Sequence, residues 1–178
     1  MALLKAHQCS VLLIDMQEKL LPAIADHEAL LERVQRFIEG AKLCSVPVVA
    51  TEHWPDKIGP THPSLLPHVD SVIAKTHFDA LREPAVRESL PTHRPKVLLL
   101  GAEAHICVLQ TGLSLHQAGY HPILVLDGIG SRLPSSYEAA CKRWAYHGLE
   151  SVTMEMALFE WLETPANPAF KSVLKLVK

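Results

Sequence analysis

The chain has 178 residues, 48% of them apolar, which suits one well-packed globular core and is short for two domains. Lys and Arg number 17 against 19 Asp and Glu, a formal net charge of −2, and no basic run stands out, so nothing suggests a nucleic-acid partner. No stretch approaches the roughly 18 apolar residues needed to cross a bilayer, and the opening MALLKAHQCSVLLID is interrupted by Asp15 without a small-residue cleavage site.

A cytoplasmic protein with no membrane partner is therefore expected. The four cysteines, Cys9, Cys44, Cys107 and Cys141, are too widely spaced for a CxxC pair or a zinc ribbon, and reduced thiols are the better reading.

In chain order, strands are predicted over 10–15, 47–51, 71–75, 96–101, 123–127 and 149–153, several of them apolar on both parities. Asp26 is read as the N-cap of a first helix whose one face carries Leu30, Leu31, Val34, Phe37, Ile38 and Ala41. Further helices are predicted over 83–90, 104–118, 135–147 and 155–162, with Gly119 and Gly148 at C′ positions of the second and third of these. Such alternation implies right-handed crossovers and a parallel sheet covered by helices on both faces.

Residues 53–69 hold four prolines and three histidines with little periodicity and read as a long loop. Residues 165–178 form a tail of the single domain 1–178. Its Phe170, Val173, Leu174 and Val177 lie at helical spacing, an apolar stripe to be buried on this domain or on a partner subunit.

Ligands of open parallel sheets bind beyond the carboxyl ends of the strands. There the first strand runs into Asp15, the third into Lys75, and the fourth into GAEAHIC, ending at Cys107 where a helix begins. A carboxylate, an ammonium and a thiol form a coherent set for nucleophilic catalysis. A helix start and a nearby Lys both favour a thiolate, Asp15 can accept the thiol proton and return it to a leaving amine, and backbone N–H groups at the helix start can meet an oxyanion. Taken singly, each residue has a plainer reading. A Cys among apolar neighbours is commonly inert core, an Asp at a strand end forms a turn or cap, and a Lys there is usually solvated.

The segments SVLLIDMQEKLLP, VIAKTHFDAL, LLLGAEAHICVLQTGLSLHQAGY and VLDGIGSRLPSSYEAACKRWAYHGL resemble, in order, the signature blocks of isochorismatase-like cysteine hydrolases. The resemblance runs from about Cys9 to Trp161. It implies a three-layer α/β/α Rossmann-like fold with six parallel strands, and a catalytic triad of Cys107, Asp15 and Lys75. It also implies a cis peptide joining Ala102 and Glu103, which would aim the Glu103 N–H at the oxyanion together with that of Cys107. Members that hydrolyse the isochorismate vinyl ether lack the nucleophilic Cys, so Cys107 points to an amide-cleaving member acting through a thioester on a small molecule. The family commonly assembles, and a homo-oligomer is expected.

Metal-dependent relatives carry Asp-x-His after the second strand. Here the stretch is TEHWPDKIGPTH, without that pair, and it resembles the Thr-Glu-Gln-Tyr-Pro loop of metal-free members. No metal and no cofactor are expected, although His53, His62 and His68 could in principle gather on zinc. Trp54 and Phe78 are candidates for the substrate pocket, though an aromatic on a loop also serves simply to pin it.

Two other chemistries fail on the residues. Cys-x5-Arg of a phosphatase would need Arg where Leu113 stands, and a dinucleotide fingerprint would need glycines in the MQEKLL that follows Asp15. The alternative from a different class is a silent family member that serves as a binding or scaffold protein.

Overall fold

A computed structural model of the chain describes residues 3–178. Strand β1, Cys9–Ile14, is buried at every position because its two parities feed two cores. Val11 and Leu13 join one apolar cluster, while Leu12 and Ile14 join the other. Alternating side chains that are all apolar are what a central strand between two helix layers requires. The remaining strands are β2 (Val48–His53), β3 (Ser71–Lys75), β4 (Lys96–Ala102), β5 (His121–Gly130) and β6 (Glu150–Val152). All pair in parallel, in the order β3-β2-β1-β4-β5-β6.

The helices are α1 (His27–Leu43), α2 (Pro55–Ile58), α3 (Pro84–Ser89), α4 (Leu109–Gln117), α5 (Pro134–Tyr146), α6 (Met154–Leu162) and α7 (Phe170–Leu176). Helix α1 presents Leu30, Val34, Phe37 and Ile38 to the same cluster as Leu158 and Trp161 of α6, whereas Val86, Leu115 and Trp144 of α3, α4 and α5 belong to the opposite one. The chain thus builds β2 and β3 on one side of β1, then returns to build β4, β5 and β6 on the other. The order reverses between β1 and β4, and the crevice at such a switch point is where these sheets bind ligands.

Gly101 makes that junction possible. It pairs with Ile14 at φ 112°, and a Cβ there would lie 2.0 Å from the Ile14 carbonyl oxygen. Any other residue would push β1 and β4 apart at their carboxyl ends.

Four local departures from the sequence pattern have physical causes. Asp26 does hold the N-cap position of α1, but at φ 51° and with no side-chain capping bond; its carbonyl accepts from the Leu30 N–H at 3.0 Å. The helix expected over 104–118 is two pieces. A five-residue π-helical turn, Ala104–Val108, precedes α4, with the Val108 N–H reaching back five residues to the Glu103 carbonyl at 3.3 Å. Residues 53–69 are not featureless: they hold α2, a 3-10 turn at Leu66–His68 and a bridge between Gln17 and Thr61. Strand β3 is an edge strand, with only Lys75 fully buried, so it lacks the two-sided apolar character of β1.

The tail stripe is covered by the domain's own core. Val173 is buried, and Phe170 meets Phe159 edge-on with ring centroids 6.3 Å apart. Among the described residues no helix is long and apolar enough to cross a membrane.

Candidate active site

Asp15 follows β1 directly, at φ 49°. Its backbone N–H donates to the Thr51 carbonyl at 3.1 Å, and its Oδ1 accepts from the Thr51 hydroxyl at 2.8 Å. Backbone and side chain are therefore both fixed by the end of β2. Its other oxygen, Oδ2, faces the Lys75 ammonium at 2.7 Å, and neither side chain is exposed to solvent. Lys75 ends β3, two strands away, and its length spans the gap. Its Nζ also donates to the carbonyls of His77 at 3.1 Å and Phe78 at 3.4 Å, and it lies 3.6 Å from Cys107 Sγ. Cys107 itself is 6% exposed, in the π-helical turn after β4. The three residues picked out at strand ends in the sequence thus meet in one buried cluster.

The electrostatics differ from the sequence reading in one respect. Burial pushes the Cys107 thiol up to about 12, Asp15 adds to the rise through its charge and a hydrogen bond, and Lys75 opposes it without prevailing. The reason is geometric. Lys75 lies 2.7 Å from Asp15 Oδ2, so its charge is shared with a carboxylate and offsets only part of the rise in a site closed to water. Burial and Asp15 thus hold the sulfur toward the thiol form, against the thiolate that a lone lysine and a helix start would favour.

A buried ion pair contributes little net stability, because desolvation offsets its attraction. Its presence beside a thiol therefore points to chemistry rather than to folding.

Around this cluster the structure assigns places that the sequence left open. Gln17, fully buried, takes the His53 N–H on its Oε1 at 2.7 Å and donates Nε2 to the carbonyls of His53 and Gly59 at 3.0 and 2.6 Å, which ties down the loop after β2. His53 stacks on Phe78 with centroids 5.1 Å apart, and burial followed by the Lys75 charge lowers its pKa. Phe78 is 51% exposed and Trp54 48%, with the indole N–H donating to the Thr76 carbonyl at 3.3 Å. Both aromatics are partly open to solvent, and Trp54 pins its loop.

The peptide bond between Ala102 and Glu103 is cis. The Glu103 carboxylate accepts from the Arg132 backbone N–H and Nε, both at 3.1 Å, and His105 Nδ1 lies 3.0 Å from the Ser131 hydroxyl. Ser131 and Arg132 thus hold the loop that carries Cys107. The signal for them was the Ser-Arg pair after β5, and for Thr51 and Gln17 their positions next to strand ends.

His62 Nδ1 lies 2.9 Å from the Ser64 hydroxyl. Among the described residues, no three His, Cys, Asp or Glu side chains gather in a way that could hold a metal ion, so the donor set of the metal-dependent relatives is not matched here.

A three-layer α/β/α sandwich with a buried thiol, carboxylate and ammonium at its topological switch point defines a class of small hydrolases. Comparison with known proteins agrees. The isochorismatase domain model matches residues 9–156. Isochorismatase domain-containing protein 2 of Pongo abelii is 36% identical over 169 residues, covering 93% of this chain and 81% of its own length. Isochorismatase domain-containing protein 2A of Mus musculus is 31% identical over 168 residues, with the same coverage of 93% and 81%. Among solved structures, that of MAR1 ribonuclease from Caenorhabditis elegans superposes with a TM-score of 0.93 at 28% identity, over 99% of this chain and 92% of that one. The chain belongs to the isochorismatase family of hydrolases.

Proposed function

We propose that this chain is a cysteine hydrolase that cleaves an amide-type C–N bond of a small molecule through a thioester on Cys107. The observation that carries the reading is the cluster in which Cys107 Sγ lies 3.6 Å from Lys75 Nζ, which itself lies 2.7 Å from Asp15 Oδ2. The Cys107 proton passes to Asp15 as sulfur attacks the carbonyl carbon. Lys75 steadies the developing negative charge on sulfur and keeps Asp15 in place. The N–H groups of Glu103 and Cys107 meet the oxyanion; the neighbouring Ile106 and Val108 N–H groups are spent on the Glu103 carbonyl at 3.0 and 3.3 Å. When the tetrahedral intermediate collapses, the C–N bond breaks and the amine leaves with the proton held by Asp15. Water then attacks the thioester, giving the carboxylic acid and restoring the thiol.

No step calls for a metal or an organic cofactor, and the four unpaired cysteines suit a reducing compartment such as the cytoplasm. Self-association belongs to the proposal on a narrower basis than the tail stripe offered, namely the exposed Leu133 and Tyr146, 60% and 88% accessible. Light scattering decides it.

The nematode relative is called a ribonuclease. A net charge of −2 without a basic run gives no groove to follow a phosphate backbone here, so RNA serves as a control substrate. The test is amine release from a panel of small amides by the native protein and by Cys107→Ala. Release by the first and none by the second is expected. Equal release by both would reject the thiol mechanism, and no release by either would favour a silent binding protein.

A further inference from the structure

The geometry points to Glu83 as a positioning residue that aims the Lys75 ammonium by clamping the turn Thr76–His77, through which Lys75 is held; this rests on the reading of Lys75 and Cys107 given above. Glu83 immediately precedes α3, where a side chain would ordinarily cap its own helix, yet it makes no such bond. Instead a single oxygen, Oε1, accepts from the Thr76 N–H at 3.0 Å, the Thr76 hydroxyl at 3.3 Å and the His77 N–H at 3.4 Å, and lies 2.9 Å from His77 Nδ1. These donors, the Thr76 N–H foremost, hold its carboxyl down at about 2, so the clamp stays ionised at any ordinary pH.

What the clamp holds is the carbonyl ladder under Lys75. The His77 and Phe78 carbonyls accept from Nζ at 3.1 and 3.4 Å, and the Thr76 carbonyl accepts from the Trp54 indole at 3.3 Å. The far end of the same segment is tied to the helix that follows the nucleophile. The Ala80 N–H donates to the Thr111 hydroxyl at 2.9 Å, and the Ser114 hydroxyl donates to Asp79 Oδ2 at 2.7 Å, both partners standing on α4. Hydrogen bonds and chain therefore close a ring, from Cys107 along α4 to Asp79 and Ala80, on to Glu83, back to Thr76 and His77, and through Lys75 to the sulfur. With one link cut, an ammonium on a four-carbon stem can settle wholly on Asp15 and leave the thiol.

Iodoacetamide labelling of Cys107 near pH 9, followed by peptide mapping, tests this without requiring a known substrate. The partly buried Cys44 serves as internal reference, and Lys75→Met marks the effect of losing the ammonium outright. Glu83→Ala is expected to slow Cys107 labelling about five- to tenfold relative to Cys44 and to move its pH profile upward, because the thiolate loses its cation. Glu83→Gln keeps an acceptor oxygen and should recover to within about twofold. A merely structural role predicts the reverse, since a loosened segment admits reagent and speeds labelling. Unchanged or faster labelling in Glu83→Ala, with Lys75→Met slow, would overturn the inference alone. Unchanged labelling in Lys75→Met would overturn the reading of the site itself, and this inference with it.

Discussion

Two kinds of ion pair occur in this molecule, and they serve different ends. Lys5–Glu163 joins two half-exposed side chains at 3.0 Å, and Lys42 pairs with Asp70 in a similar setting. Pairs of that sort cost little to form and contribute little. Lys75–Asp15, at 2.7 Å, has neither side chain exposed, so both charges have been stripped of water. A fold that needed only stability would do as well with two apolar side chains there. The difference teaches that stability alone does not account for the buried pair; under the proposed mechanism it serves the sulfur beside it, and its worth should appear in activity before stability.

The comparison breaks most visibly at the sulfur. Cys107→Ala is expected to lower amide hydrolysis by at least about a thousandfold, with Asp15→Asn and Lys75→Met comparably severe and far from additive with it, because the proposed mechanism uses the three as one unit. Steady-state rates on any amide the native protein cleaves would check this, and near-full activity in Cys107→Ala would end the account. Stability comes next. Lys75→Met strands a buried carboxylate and should cost about 3–5 kcal/mol, whereas Lys5→Met should cost under about 1 kcal/mol. Urea unfolding of the two variants side by side measures the contrast.

Arg132→Ala removes the side-chain donor to Glu103 on the Cys107 loop while keeping the backbone one, and should cut kcat about tenfold with KM little changed, since a slight misplacement of the attacking group is enough for that. The smallest effect expected is none. Dialysis against EDTA should leave activity intact, because a thiol with backbone oxyanion donors does without a Lewis acid. Activity lost on chelation and regained with zinc would show a metal site that these residues do not outline.

The sheet and the three clustered positions, Asp15, Lys75 and Cys107, were legible in the sequence because each rests on a local pattern. Apolar runs such as SVLLI and KVLLL demand burial on both faces; Asp15 ends the first, and the second runs into the GAEAHIC turn that carries Cys107. Less legible was whatever depends on distance between segments. The upward shift of the Cys107 thiol follows first from burial and then from Asp15, which reaches the site from another strand, and no spacing reveals either. The π-helical turn at Ala104–Val108 left no mark, since its residues fit an α-helix equally well. Asp26 was legible as the N-cap position of α1, but its left-handed backbone and idle side chain were not. Glu83 reads as an ordinary helix start until its side chain is seen to point back toward Thr76.

The central claim is a covalent bond to one sulfur. Native protein mixed with an amide it cleaves, quenched in acid during turnover and digested, should yield the peptide bearing Cys107 heavier by the mass of the acyl group, and hydroxylamine should remove that mass. Steady turnover with every Cys107 peptide unmodified, or with the acyl group on Cys9, Cys44 or Cys141, would contradict it.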